Sequence, residues 1–62
     1  MNEDYAEFVV HQESNKKWVW HLVLASGEII ASSSEGYRTE DECVVAIEGV
    51  KNYAATAKTV KK

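Results

Sequence analysis

The stretch Lys17-Trp18-Val19-Trp20-His21-Leu22-Val23-Leu24-Ala25 decides the fold, because its large side chains alternate with smaller or polar ones. Such a period of two is typical of a β-strand whose two sides meet different surroundings. We therefore predict a strand from Lys17 to Ala25. One side of it, which we call the tryptophan face, carries Trp18, Trp20, Leu22 and Leu24; the opposite side is called the second face.

The segment before this strand has the same alternation. Phe8 and Val10 are separated by one residue, which agrees with a period of two, and we predict a strand from Tyr5 to Gln12. For Phe8 and Val10 to share the tryptophan face, directly opposed residues must have equal parity. The intervening polar loop must then contain an odd number of residues, three or five. Asn15 suits a left-handed position in that loop.

The segment after the deciding strand predicts a tight hairpin. Ser26 and Gly27 form a two-residue turn in which glycine supplies the positive φ, so that Ala25 pairs with Glu28. This register puts Ile29 and Ala31 on the tryptophan face and Ile30 beside Val23 on the second face. The small residues of Ser32–Gly36 are expected to end or bulge the third strand.

A helix is predicted from about Glu40 to Ala54. Thr39 and Glu42 form a capping box, in which hydroxyl and carboxylate each accept from an otherwise unpaired N–H. The apolar stripe expected to cover the tryptophan face consists of Cys43, Val44, Ile47, Val50 and Ala54. Gly49 lowers helix propensity, which a close approach of helix and sheet would explain.

Length and composition limit the class of protein. The chain has 62 residues, 7.0 kDa, one cysteine and a net charge of −3. It has no apolar run of membrane-spanning length, and its acidic first residues are unlike a secretory leader, so we expect a cytoplasmic protein. We predict a single domain over residues 1–62, with a core at about 5–55 and a strand or tail at 56–62. One cysteine excludes an internal disulfide.

Size and charge favour association. A chain this short buries only about 60% of its unfolded surface, so burial and ordering nearly cancel for a lone copy. Residues 1–13 carry four acids and no Lys or Arg, whereas residues 51–62 carry four lysines and no acid. Opposite ends of two copies are able to attract, although two solvated tails that never meet explain the same pattern.

Several short motifs together resemble the YegP-like family of small bacterial and archaeal domains. They are Phe8-x-Val10, Trp18-x-Trp20-x-Leu22, Gly27-Glu28-Ile29-Ile30-Ala31, Glu35-Gly36-Tyr37 and Ala46-Ile47-Glu48-Gly49-Val50-Lys51. The resemblance implies an α+β unit of type β3-α-β, with the helix on one sheet face. For a single copy it also implies a homodimer that shares one sheet and exchanges its C-terminal strands. The implied dimer segment comprises Thr56, Lys58, Thr59, Val60 and Lys61.

The sequence departs from the family pattern at two loops and on the second face. Lys16 stands where the family usually has glycine, and Ser32-Ser33-Ser34 adds one residue before Glu35. Where the family commonly has charged residues on the second face, this chain has apolar residues and histidines, and our candidate interaction face is Val9, His11, Val19, His21, Val23 and Ile30. An apolar patch of this kind marks contact surfaces, but β-branched residues there also satisfy strand propensity alone.

The chemistry-bearing residues give weak signals. His11 and His21 become diagonal neighbours if the first loop has five residues, but a metal site needs three or four ligands, and Cys43 lies across the sheet. We interpret both histidines as structural or surface residues, and Cys43 as a core residue rather than a nucleophile. Trp18 and Trp20 would need basic surroundings to stack on nucleic acid, so core burial is favoured.

The sequence therefore predicts a homodimeric, non-enzymatic interaction module with no cofactor, no metal and no membrane partner. An unidentified protein or small molecule is its expected further partner, and nucleic acid is disfavoured. The alternative is a small-molecule binding protein or minor enzyme with a site at the dimer junction, using His11, His21 or Tyr37. No catalytic motif supports that alternative, and the resemblance supplies no catalytic residues.

Overall fold

The computed structural model describes residues 5–62, so the acids at positions 3 and 4 of the predicted charge asymmetry lie outside the described residues. The sequence alternation produces three strands, β1 (Ala6–Gln12), β2 (Trp18–Leu24) and β3 (Ile29–Ser32), followed by one helix, α1 (Glu40–Ala54). The strands form an antiparallel sheet in the order β1-β2-β3. The predicted α+β meander with its single helix is confirmed.

The first hairpin has the predicted parity. Its loop has five residues, 13–17, and Phe8 lies opposite Leu22 while Val10 lies opposite Trp20. The left-handed position is taken by Lys16 (φ 70°) and not by Asn15. Asn15 instead accepts a 2.9 Å hydrogen bond from the backbone N–H of Lys17 through its side-chain oxygen, which leaves the next residue to complete the reversal.

The second hairpin differs from the prediction of a two-residue turn. The N–H groups of Gly27 and Leu24 donate to the carbonyls of Leu24 and Glu28, both at 2.8 Å, which closes a three-residue loop over 25–27. Gly27 has φ 97°. The extra loop residue is absorbed by an irregularity in β3, where Ile29 instead of Ile30 pairs with Val23. Ile29 is thus placed on the second face and not on the tryptophan face.

Helix α1 begins as expected, with one difference in its cap. The Thr39 hydroxyl accepts from the N–H of Glu42 at 3.1 Å. The carboxylate of Glu42 accepts from the N–H of Arg38 at 3.2 Å, one residue before the position a capping box uses. The first turn still directs three acids at the positive end of the helix.

The helix covers the tryptophan face over β1 and β2. Trp20, Cys43 and Ile47 form the buried cluster, and Phe8 meets Trp20 edge-on at 5.4 Å between ring centres. The partly buried side chains around this cluster are Phe8, Val10, Trp18, Leu22, Tyr37 and Val50. Val44 and Ala54 were predicted in the buried stripe but are exposed. Val44 lies about 100° around the helix from Cys43, and Ala54 is the last residue of the helix.

Two glycines differ in what surrounds them. A Cβ at Gly36 would lie 2.5 Å from the Cβ of Lys17, so the chain passes too closely for any side chain there. A Cβ at Gly49 would meet nothing within 4 Å, and the prediction that Gly49 permits a close helix–sheet approach is wrong.

The predicted C-terminal strand is absent from this single chain. Residues 56–62 are exposed and carry no strand structure. Thr56 bonds back to the carbonyl of Tyr53, at 3.2 Å from its N–H and 3.4 Å from its hydroxyl. A strand requires a ladder of backbone partners, and within residues 5–62 the tail has no strand beside it. Within the same residues, no helix is long and apolar enough to cross a bilayer.

Candidate interaction surfaces

The predicted second face is assembled by the register of the sheet. Val9 lies opposite His21, and Val19 lies opposite His11, on the side away from α1. Exposure varies across it: Ile30 is 51% exposed and Val9 39%, whereas Val19 is only 8% exposed. Val19 is therefore too buried to contact another molecule. Ile29, 57% exposed, is added to this face by the irregular register of β3.

The two histidines meet on the second face. The five-residue first loop makes His11 and His21 diagonal neighbours, with ring centres 5.1 Å apart and planes tilted by 60°. Nδ1 of His21 is buried without a hydrogen-bond partner in the described part of the chain. Among residues 5–62 there is no group of three or more His, Cys, Asp or Glu side chains able to hold a metal ion together.

Cys43 is a core residue, as predicted. Its side chain has no exposed surface and lies on the side of α1 that faces the sheet, in one cluster with Trp20. Burial raises the pKa of the Cys43 thiol, and the negative charge of Glu40 raises it further. Because the thiolate is the nucleophile, a raised pKa and full burial both oppose catalysis by this residue.

The tryptophans are arranged for packing rather than for stacking on bases. Trp20 is 7% exposed beneath the helix, and Trp18 is half-buried next to the same cluster. Their rings therefore offer no open platform of the kind single-stranded nucleic acid requires. The indole nitrogen of Trp20 is buried without a hydrogen-bond partner among residues 5–62.

An open groove beside α1 was not predicted from the sequence. Its volume is about 480 Å³, and it is lined by Tyr37, Asp41, Glu42, Val45 and Ala46. Val45 is 69% exposed. The signal was present in the run Val44-Val45-Ala46, which makes the apolar surface of the helix wider than the one stripe that faces the sheet.

Strand β3 forms one edge of the sheet, and among residues 5–62 no strand pairs with its outer side. All four residues of β3 are exposed, and none of Ile29, Ile30, Ala31 and Ser32 is charged. β1, at the other edge, carries Glu7 and His11. Charged side chains on an edge discourage pairing with other strands, so the edge of β3 is the less protected one.

These features define a class of protein: a small α+β domain whose notable surfaces are an unpaired sheet edge, an apolar helix groove and an uncovered sheet face. Comparison with protein families matches residues 13–60 to the domain of unknown function DUF1508. The chain belongs to this family, which is the YegP-like family indicated by its motifs.

Individual relatives agree with this assignment. A UPF0339 protein of Methanosarcina acetivorans is 33% identical over 55 residues, covering 89% of this chain and 93% of that protein. A protein from Haloferax volcanii, solved in solution by NMR, has 34% identity and a TM-score of 0.88, covering 95% of this chain and 98% of the other. The likeness therefore extends through nearly the whole chain and its fold.

Proposed function

We propose that this protein is a homodimeric, non-enzymatic interaction module whose two copies associate through the edge of β3 and the helix groove. The surface left exposed by one chain is the observation that carries the proposal. A folded monomer of 7.0 kDa has an accessible surface of about 4,000 Å², whereas this chain exposes 5220 Å². The excess, about 1,200 Å², is larger than the roughly 800 Å² that each partner buries in a standard interface.

The dimensions of the chain support the same proposal. Its Cα radius of gyration is 13.0 Å, against about 10–11 Å for a compact chain of this length. The buried apolar side chains among residues 5–62 are Val19, Trp20, Cys43 and Ile47. A core of this size leaves little stability for a lone copy, since small domains below about 70–80 residues need additional support.

The C-terminal tail is the segment we expect the partner to order. It holds β-branched Thr56, Thr59 and Val60, with Val60 66% exposed. In the proposed dimer the tail adds to the uncharged edge of β3 in the other copy, where main-chain hydrogen bonds replace those it lacks in one chain. Lys58 and Lys61 then approach acids such as Asp41 at the groove, a complementary pairing that orients the partner.

The structure offers little support for a small-molecule or catalytic site that combines His11, His21 and Tyr37. Tyr37 pairs with Trp18 through two backbone hydrogen bonds of 2.7 and 2.8 Å and lines the groove beside α1. The histidine pair lies on the opposite face of the sheet. A full sheet thickness therefore separates Tyr37 from the histidine pair, so a site at the dimer junction could use Tyr37 or the histidines but not all three.

The experiment is a mass measurement by light scattering and analytical ultracentrifugation at micromolar concentration. We expect a particle of twice the 7.0 kDa chain mass. Deletion of residues 56–62 should dissociate it and lower its thermal stability, because the open edge of β3 loses its partner. A matched variant that keeps the length but replaces Thr56, Thr59 and Val60 by glycine should behave like the deletion. A stable monomer, or a truncated protein of unchanged mass and melting temperature, contradicts the proposal.

A further inference from the structure

The histidine pair of the second face brings two imidazole rings from neighbouring strands into contact. His11 on β1 and His21 on β2 are held by a regular antiparallel ladder of seven residue pairs, so their backbones are fixed relative to each other. Their ring centres are 5.1 Å apart and the planes are tilted by 60°.

The separation of the rings agrees with the distance that one shared cation imposes. A transition-metal ion lies about 2.0–2.1 Å from an imidazole nitrogen, and thus about 3.2 Å from the ring centre along the same line. Two such rings at a tetrahedral angle have centres about 5.2 Å apart. The observed 5.1 Å matches the tetrahedral arrangement that Zn²⁺ prefers, whereas the angle of about 90° in a square-planar Cu²⁺ site requires the two rings to move closer together.

We propose that His11 and His21 form a two-imidazole chelate for late first-row divalent transition-metal ions, one ion per chain, with water at the remaining coordination positions. Nδ1 of His21 is buried without a hydrogen-bond partner among residues 5–62, so the ion is expected to bind the other ring nitrogen of His21, Nε2. Because no third His, Cys, Asp or Glu of residues 5–62 joins the pair, the site binds exchangeable ions rather than a permanent structural one. Imidazole donors without carboxylates favour Cu²⁺, Ni²⁺ and Zn²⁺ over Mg²⁺ and Ca²⁺.

The proposal is independent of the dimer, because both ligands come from one chain. The test is titration of the full chain with CuCl₂, NiCl₂ and ZnCl₂ alone, followed by calorimetry and by ¹H–¹⁵N NMR for the diamagnetic Zn²⁺. We expect one ion per chain, with Cu²⁺ bound most tightly. His11→Asn and His21→Asn should each weaken binding by about 100-fold, since each removes the second, preorganised ligand.

A matched control moves one histidine without changing the number of histidines. In the double variant His11→Asn, Gln12→His the new imidazole lies one residue along β1 and thus on the tryptophan face, because successive strand residues alternate. Its affinity should equal that of His11→Asn. The amide backbone spectrum of each variant reports whether the fold is intact.

Electron paramagnetic resonance of the Cu²⁺ complex gives a second, structural readout. Two nitrogen donors are expected for the natural sequence and one for either single variant. Failure of the natural protein to bind Cu²⁺ or Zn²⁺ at millimolar concentration overturns the proposal. Equal affinity of the natural protein and the double variant overturns it too, because binding then does not need the pair.

Discussion

The two faces of the sheet are made from the same strands but differ in whether the helix covers them. On the tryptophan face α1 covers the sheet, leaving Trp20 7% and Ile47 5% exposed. On the second face no helix of residues 5–62 lies over the strands, and Val9 and Ile30 remain 39% and 51% exposed. Apolar character is thus shared by both faces, but on the second face Val19 is buried while Val9 and Ile30 remain exposed. An apolar face that does not serve the core of its own chain is available for contacts with other molecules.

The largest expected effect comes from replacing an apolar side chain beneath the helix by alanine, with an alanine substitution on the second face as its control. Ile47→Ala should destabilise the fold by about 2–5 kcal/mol, because it opens a cavity beneath the helix. Val9→Ala, the control on the exposed side and away from the proposed dimer edge of β3, should change the free energy of unfolding by about 0.5 kcal/mol or less. Denaturant titration followed by circular dichroism measures both. Similar losses for both variants would mean that the second face is covered in solution.

Gly36→Ala tests how tightly the rim of the tryptophan face is packed. The added methyl group would meet the Cβ of Lys17, close to the backbone and unable to swing away, so we expect a loss of about 1–3 kcal/mol. In a Lys17→Gly background the same substitution should cost much less, which a double-mutant cycle measures. An unchanged melting temperature for Gly36→Ala alone would show that this crossing is looser than described.

Gly49→Ala should have the opposite sign. Its methyl group would enter open space, and alanine is better than glycine in a helix interior by about 1 kcal/mol. Thermal unfolding of Gly49→Ala should therefore show a rise in the melting temperature. A fall would indicate that another molecule, such as the second copy, packs against this side of α1.

The smallest effect concerns alkaline pH. Because burial raises the pKa of Cys43 in the folded chain, the unfolded chain loses the thiol proton first as pH rises. The contribution of the protonated Cys43 thiol to the free energy of unfolding is complete below the ordinary thiol pKa. It is lost as the pH rises toward and through the raised pKa of the folded chain. The natural protein should thus lose more stability than Cys43→Ala when pH rises from 8 to 10, as measured by denaturant titration. Parallel pH curves would contradict a buried, protonated thiol.

Local patterns were sufficient to predict most of the fold. The alternation of β2 and the parity of the first loop predicted which residues of β1 lie beside the tryptophans, and the Thr39 cap predicted the start of α1. These features depend on contacts between near neighbours in the chain. The meeting of His11 and His21 followed from the same parity once the loop had five residues.

Other features depend on information that a local pattern does not contain. Lys16 occupies a left-handed position where the family pattern has glycine, and a three-residue loop at Gly27 shifts Ile29 to the other face. The groove at Val45 depends on how Tyr37, which lies before the helix, packs beside α1. The predicted strand beyond Thr56 would need another strand beside it, and residues 5–62 provide none.

The placement of both indole rings has a practical consequence. Trp18 and Trp20 lie on the same covered side of β2, and Trp20 lies in one cluster with the Cys43 thiol. Intrinsic fluorescence of this chain is therefore emitted almost entirely from beneath the helix. A red shift in emission will report departure of the helix from the sheet, whereas events on the histidine side that leave the helix in place are expected to change the emission intensity but not its wavelength.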